Sequence, residues 1–190
     1  AYMREIPEFY TKVSEEDLPR LAQLCGENPA GTPEEATAFI LSVLQENMTY
    51  TQTPGLFPFN EDPVEYFLFE GREGYCQHFA SAAVLMYRLY GIPARYATGY
   101  AVTPSMFTEQ ADGTWAAEVT DEAAHAWAEI FQEDYGWVSV EVTPSGNGGA
   151  SSYAGMDTGL LESLLEGQSW NLGLLQEADP PAGEAAETET

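Results

Sequence analysis

Residues 74–93 of this 190-residue chain carry the sequence GYCQHFASAAVLMYRLYGIP. The stretch from Cys76 to Tyr90 contains neither proline nor glycine and is rich in Ala, Leu and Met, which predicts a buried helix. Gly91 ends this helix and Pro93 follows, in the usual order at a helix C-terminus. The predicted helix therefore carries Cys76 in its first turn.

This position of Cys76 favours a reactive thiol. Free backbone N–H groups and the positive end of the helix dipole meet at the start of a helix, and both stabilise a thiolate. Gly74 lets the backbone approach closely just before the helix begins. A buried, inert cysteine is the alternative, and this stretch alone does not separate the two.

Helices precede this stretch and strands follow it. Thr32, Pro33 and Glu35 form a predicted helix start with a capping box, and Asp62-Pro63 starts another short helix. Downstream, β-type patterns predict strands at residues 95–102, 115–119, 124–131 and 137–142. Helices followed by a meander of strands indicate an α+β fold with an antiparallel sheet.

Two of these strands bring a histidine and a carboxylate together. His125 opens one strand, Glu141 lies in the next, and residues 132–135 look like a hairpin turn. A turn centred near Glu133 sets His125 opposite Glu141, where directly paired residues have Cβ atoms about 4.5–5.5 Å apart. The carboxylate can then accept the imidazole N–H, and the other ring nitrogen would face the thiol. This is the nucleophile, base and orienting acid of a catalytic triad.

Four blocks of sequence, taken in order, carry a family resemblance. They are residues 74–80, residues 91–95 with 98–100, residues 125–129, and Gly136-Trp137 followed by Glu141 and Thr143-Pro144. Together they cover roughly residues 60–145 and resemble the bacterial transglutaminase-like family. The resemblance implies a papain/transglutaminase-like core, in which N-terminal helices include a Cys-bearing helix packed on an antiparallel sheet that carries the histidine and the acid.

The resemblance implies Cys76, His125 and an acid as the catalytic residues, with one departure. Family members usually carry aspartate where Glu141 stands, and glutamate is longer by one methylene; Glu141 is nevertheless the first choice for the acid. Asp121 and Glu129 are the fallback carboxylates, although Glu129 is about 13 Å from His125 along the strand.

Other residues complete the predicted site. His78 points about 200° around the helix from Cys76, so we expect it to be structural. An oxyanion hole would combine the backbone N–H of Cys76 with one upstream donor. The candidate substrate-binding residues are Tyr50, Gln52, Tyr75, Trp127 and Trp137, with core packing as the alternative for at least one tryptophan.

Charge and cysteine count limit the partners. Six Lys+Arg against 31 Asp+Glu give a net charge of −25, which argues against nucleic acid and against anionic membranes. The charge serves solubility or attracts cationic substrates such as lysine-rich proteins or amines. A disulfide between Cys25 and Cys76 is disfavoured, because Cys25 lies in an apolar helical pattern. Two cysteines and two histidines show no metal-ligand spacing, and we expect no metal and no cofactor.

The composition divides the chain into two parts. We expect a transglutaminase-like domain over residues 1–145 and an acidic, Gly/Ser/Pro-rich tail over residues 146–190. Within this tail a short Leu-rich segment, residues 160–175, would pack on the domain or on a partner. No stretch approaches the length of a membrane-spanning helix, so membrane association would require segments absent from this chain.

These features predict cysteine-dependent acyl transfer or hydrolysis on protein or peptide amides through a thioester, with a primary amine or water as acceptor. A cysteine peptidase of the same fold is the first alternative, and a non-catalytic binding or structural module that retains the fold is the second. The branch of the family that this chain resembles implies an extracytoplasmic domain of a membrane-anchored bacterial protein, and a soluble protein is the alternative.

Overall fold

The structure, a computed structural model, describes residues 2–144 and 154–176, with side chains from residue 5 onward. The helices are α1 (Tyr2–Tyr10), α2 (Pro19–Glu27), α3 (Pro33–Asn47), α4 (Pro63–Tyr66), α5 (Cys76–Leu89), α6 (Thr158–Gly167) and α7 (Gly173–Gln176). The strands are β1 (Thr49–Tyr50), β2 (Glu73–Gly74), β3 (Ala94–Tyr100), β4 (Phe107–Glu109), β5 (Trp115–Ala117), β6 (Ala124–Gln132) and β7 (Gly136–Val140). This order confirms the predicted α+β class.

The central sheet has three antiparallel strands in the order β3-β6-β7. Side chains alternate between its two faces. On one face Ala94, Ala128, Ile130 and Val140 are buried in the same hydrophobic core as α5. The Cys-bearing helix therefore packs on the antiparallel sheet, as the resemblance implied.

The strand predicted at residues 115–119 does not belong to this sheet. Strand β5 pairs with β4 in a separate two-stranded sheet, so the prediction of one continuous meander was wrong at this point. Phe107 and Trp115 on this hairpin are exposed. The hairpin has no buried face that would hold it against the core, which explains why alternation alone misplaced it.

Helix α3 forms the centre of the helical layer. Thr32 caps it, since its Oγ1 accepts the N–H of Glu35 at 3.2 Å. The predicted capping box does not close, because the Glu35 carboxylate accepts the N–H of Gly31 at 2.7 Å instead. Phe39 and Leu44 on α3 are fully buried in the core.

The Leu-rich segment packs on this helical layer. Leu161 and Leu175 are buried, and the Trp170 ring lies 5.2 Å from the ring of Phe39. The backbone N–H of Asn171 also donates to the Asn28 side chain at 2.6 Å. The segment thus contacts the domain itself. The predicted linker and the end of the acidic tail lie outside the described residues.

Within residues 2–144 and 154–176, no helix has both the length and the hydrophobicity that crossing a bilayer requires.

Candidate active site

Cys76 is the first residue of α5, and the chain before it is held in place by a strand pair. Strand β2 runs parallel to β1, with Gly74 opposite Tyr50, and the N–H of Thr51 donates to the Gly74 carbonyl at 2.7 Å. The Cys76 side chain is half-buried, and its thiol is free. The candidate nucleophile therefore follows a segment that strand pairing holds in place, and it begins a helix.

His78 stabilises the turn into this helix. Its Nδ1 accepts the N–H of Tyr75 at 3.2 Å, and the two rings meet edge to face with centroids 4.5 Å apart. Burial lowers the pKa of His78 below its ordinary value. A Cβ atom at Gly74 would lie only 2.8 Å from the His78 ring, so a glycine is needed here for close packing.

His125 and Glu141 form a hydrogen-bonded pair. The His125 Nε2 lies 2.6 Å from the Glu141 Oε2, and the side chains are 10% and 15% exposed. The other oxygen of Glu141 accepts the backbone N–H of Thr143 at 2.9 Å. Burial by itself would raise the pKa of Glu141, but the hydrogen bonds from His125 and Thr143 outweigh it and lower the pKa below its ordinary value. Glu141 is thus ionised and oriented.

The strand register that we predicted for this pair was wrong by two residues. The pairs observed are Ala128 with Val140 and Gln132 with Gly136, so continuing the register sets Glu141 opposite Trp127, not opposite His125. The left-handed conformation of Gly136, with φ of +76°, closes the hairpin later than expected. An even-numbered shift keeps both side chains on one face, and Glu141 reaches His125 diagonally.

One cleft brings the thiol and the imidazole together. Cys76 and His125 both line a cavity of about 360 Å³, together with the three upstream candidates Tyr50, Gln52 and Tyr75. Because the His125 Nε2 is bonded to Glu141, Nδ1 is the ring nitrogen available for the thiol. The arrangement has the three chemical groups that proton abstraction from a thiol and nucleophilic attack require.

The sequence did not single out every residue of this cleft. Gln77, Thr98, Gly99 and Ala126 also line it. Thr98 and Gly99 lie in one of the blocks that carry the family resemblance, and this was the signal available for them. Gln77 and Ala126 lie in two other blocks of this resemblance, so the same signal was available for them.

The two tryptophans are not among the residues that line the cysteine cleft, and their role in substrate binding stays a prediction. Trp127 stacks on His125 with ring centroids 6.2 Å apart and an interplanar angle of 15°. Trp137 lies near the turn of the β6–β7 hairpin and packs against Tyr10 and Phe131. Its distance along the strand from His125 explains why it is remote from the thiol.

The two fallback carboxylates, Glu129 and Asp121, are not the ones bonded to His125. Glu129 accepts two hydrogen bonds from Arg95, both at 2.6 Å, and so is occupied away from His125. Asp121 lies in a single 3₁₀ turn, Asp121–Ala123, that leads into β6. The carboxylate bonded to the imidazole is that of Glu141.

A second cleft adjoins the first at His125. It has a volume of about 520 Å³ and shares Tyr50, Gln52, Ala124 and His125 with the cysteine cleft. Its other lining residues are mostly polar, and they include Thr103, Ser105, Thr120, Glu122 and Thr143. The imidazole therefore lies at the junction of two open spaces.

Cys25, the other cysteine, is buried in α2 and has a free thiol. Burial raises its pKa to about 12, and a hydrogen bond with Tyr90 offsets only part of this shift. This thiol is chemically unlike one at the start of a helix in an open cleft.

Known proteins are similar to this chain in sequence and in fold. The chain is 42% identical over 85 residues to the uncharacterized protein YebA of Bacillus subtilis, a match covering 44% of this chain and 11% of that protein. It is 34% identical over 116 residues to a protein-glutamine gamma-glutamyltransferase of Pseudomonas aeruginosa, covering 56% of this chain and 15% of that protein. The chain thus matches only a small part of these longer relatives.

A solved structure resembles it as well. The periplasmic domain of TgpA from Pseudomonas aeruginosa superposes with a TM-score of 0.60 and 27% identity, covering 91% of this chain and 52% of that one. The structure of the same domain bound to ethylmercury superposes with a TM-score of 0.60 and 28% identity, covering 73% of this chain and 48% of that one. The model of the transglutaminase-like superfamily matches residues 22–142, which include all three residues of the candidate triad. This chain belongs to the transglutaminase-like superfamily.

Proposed function

We propose that this domain catalyses acyl transfer from protein or peptide carboxamides through a thioester on Cys76. His125 is the general base, and Glu141 orients its imidazole. The single observation that carries this proposal is the part-buried 2.6 Å contact between His125 and Glu141, which leaves Nδ1 of the imidazole for the cleft shared with Cys76. The likeness to a protein-glutamine gamma-glutamyltransferase supports glutamine as the donor residue.

The proposed reaction has two halves. In the first, His125 takes the proton of the Cys76 thiol, the sulfur attacks the carboxamide carbon, and the C–N bond breaks as the imidazolium protonates the leaving ammonia. In the second, an amine attacks the thioester, His125 takes its proton, and the C–S bond breaks to return the thiol. Water in place of the amine gives the carboxylic acid. Glu141 stabilises the imidazolium in both halves.

Gln52 is our proposed side-chain donor to the oxyanion, beside the backbone N–H of Cys76. It lines both clefts and carries an amide that can donate. Tyr50 packs against the ring of Phe79 at 6.4 Å, and Tyr75 packs against His78, so both rings have other contacts.

The second cleft is the proposed route of the acceptor. It begins at His125, which must receive the acceptor proton, and Glu122 contributes a carboxylate to its lining. The net charge of −25 favours the approach of a cationic amine such as a lysine side chain. We also propose an extracytoplasmic location, which the likeness to a periplasmic domain supports.

The test is to incubate the chain with a library of glutamine-containing peptides, with and without a primary amine, and to read the products by mass. Incorporation of the amine is the expected result, and it must disappear in Cys76→Ala. Cys25→Ala is the matched control and should retain activity, because Cys25 is buried outside the cleft. Cleavage of the peptides would show a cysteine peptidase instead. Unchanged peptides under both conditions would contradict the proposal.

A further inference from the structure

The stacked ring beside His125 has no role in the reaction as proposed above. Trp127 lies two residues after His125 in β6, on the same face of the sheet, and it is absent from the lining of both clefts. Its indole is nearly parallel to the imidazole, at 15° and with centroids 6.2 Å apart. A large half-buried aromatic ring therefore lies beside the imidazole and outside the lining of the two clefts.

The backbone of the neighbouring strand leaves space for this indole. Gly99 pairs with His125 in the register between β3 and β6. A Cβ atom at Gly99 would lie 3.0 Å from the Cη2 of Trp127 and 3.4 Å from its Cζ3. The outer edge of the indole therefore lies against a bare stretch of backbone, and any larger residue at position 99 would push it from its place.

The other edge of the indole is held by a charged pair. The Trp127 Nε1 donates to the Glu129 Oε1 at 3.4 Å, and the second oxygen of Glu129 accepts from Arg95 at 2.6 Å. The Arg95 guanidinium in turn lies over the ring of Trp137, 4.2 Å from its centroid. The indole is thus fixed at both edges by groups that take no part in the chemistry.

We propose that Trp127 is a positioning residue for His125, held in place by Gly99 and by the Arg95–Glu129 pair. The χ2 torsion of a histidine has broad minima, so one hydrogen bond to Glu141 does not fix the plane of the ring. Stacking limits rotation of the imidazole, and Nδ1 then stays directed toward the cysteine cleft. The indole also keeps water from the contact between His125 and Glu141, which strengthens that hydrogen bond. This inference rests on the proposed function.

The first test follows the rate of Cys76 alkylation by iodoacetamide against pH in the whole chain. Ring stacking of this kind shifts an equilibrium by roughly two- to tenfold. Trp127→Leu should therefore slow alkylation at neutral pH by about three- to tenfold and move its pH profile toward that of His125→Ala. Trp127→Phe keeps a ring on the imidazole and should stay within about twofold of the parent. Trp115→Leu, at an exposed tryptophan, is the matched control and should match the parent.

The second test reads the imidazole directly. The chain contains two histidines, so nitrogen NMR of the rings gives two sets of signals, and His78→Gln assigns them. In the parent, neutral His125 should show a protonated Nε2 and an unprotonated Nδ1. In Trp127→Leu the two tautomers should average. Arg95→Gln is the second variant, for the case that Trp127→Leu does not fold. It keeps the indole but removes the cation that holds Glu129, so we expect a smaller change in the same direction.

The two readouts separate this inference from the proposed function. Alkylation of the parent that does not depend on His125 would refute the triad, while NMR would still decide whether Trp127 holds the imidazole. The inference is overturned if Trp127→Leu and Arg95→Gln both leave the tautomer unchanged. It is equally overturned if Trp115→Leu slows alkylation as much as Trp127→Leu does, because a general loss of stability would then explain both.

Discussion

Shortening Glu141 by one methylene is a direct test of the diagonal geometry of the candidate site. Continuing the register of β6 and β7 sets Glu141 opposite Trp127, and diagonal neighbours across antiparallel strands lie about 7–8 Å apart. Glu141 spans this separation to reach the His125 Nε2 at 2.6 Å. Glu141→Asp removes one C–C length of about 1.5 Å, which stretches the contact to roughly 4 Å. That distance exceeds the range of a hydrogen bond.

The size of the effect follows from the bond that is lost. A hydrogen bond to a charged group contributes about 1.5–3 kcal/mol, and about 1.4 kcal/mol corresponds to a factor of ten in rate. Glu141→Asp should therefore slow alkylation of Cys76 near neutral pH by roughly 10- to 150-fold. This loss is expected because, in the observed register, only the full length of the glutamate side chain reaches the imidazole.

Glu141→Gln should be equally damaging for a different reason. The two oxygens of Glu141 accept from His125 and from the Thr143 N–H. A glutamine has one oxygen and one NH₂ group, so either Thr143 loses its acceptor or the imidazole faces a donor and takes the wrong tautomer.

The assay is the second-order rate of iodoacetamide addition to Cys76, measured for the parent and both variants, with Glu109→Asp on an exposed strand as the control. Parent-like alkylation in Glu141→Asp would refute the reasoning, because the diagonal contact would then not set the position of the imidazole. A loss of the same size in Glu109→Asp would show that the change acts through general destabilisation.

Three further outcomes follow from the surroundings of the thiols and of His78. Burial raises the pKa of Cys25 to about 12, so iodoacetamide at pH 8 should label Cys76 alone, and peptide mass spectrometry that finds equal labelling of both would contradict the burial of Cys25. Gly74→Ala should lower the free energy of unfolding, measured in urea, by about 1–3 kcal/mol, because the new methyl group meets the His78 ring. Gly26 lies on a helix with open space around it, so Gly26→Ala is the control and should be neutral or stabilising. Because burial lowers the pKa of His78 below 6.5, the unfolded chain binds more protons below that pH. The free energy of unfolding should therefore fall on acidification, and His78→Gln should flatten this dependence.

Much of the fold was predictable from local pattern. The run without proline or glycine after Cys76, closed by Gly91 and Pro93, predicted α5 closely, because helix termini depend on residues within one or two turns. The alternation of side chains predicted β6 and β7, and it placed His125 and Glu141 on one face. Residues far apart in sequence were harder to place. The parallel pairing of β1 with β2 brings Tyr50 and Gln52 to the cleft, and no local pattern requires it.

The sequence by itself determined which residue types could perform the chemistry and on which elements they lie. It placed a thiol at a helix start and an imidazole and a carboxylate on neighbouring strands, because periodicity and capping act over a few residues. Only the tertiary structure decided the register of the hairpin, the diagonal reach of Glu141 and the stacking of Trp127 on His125. These depend on the conformation of one turn glycine and on packing between strands, and such long-range contacts are set by the whole core.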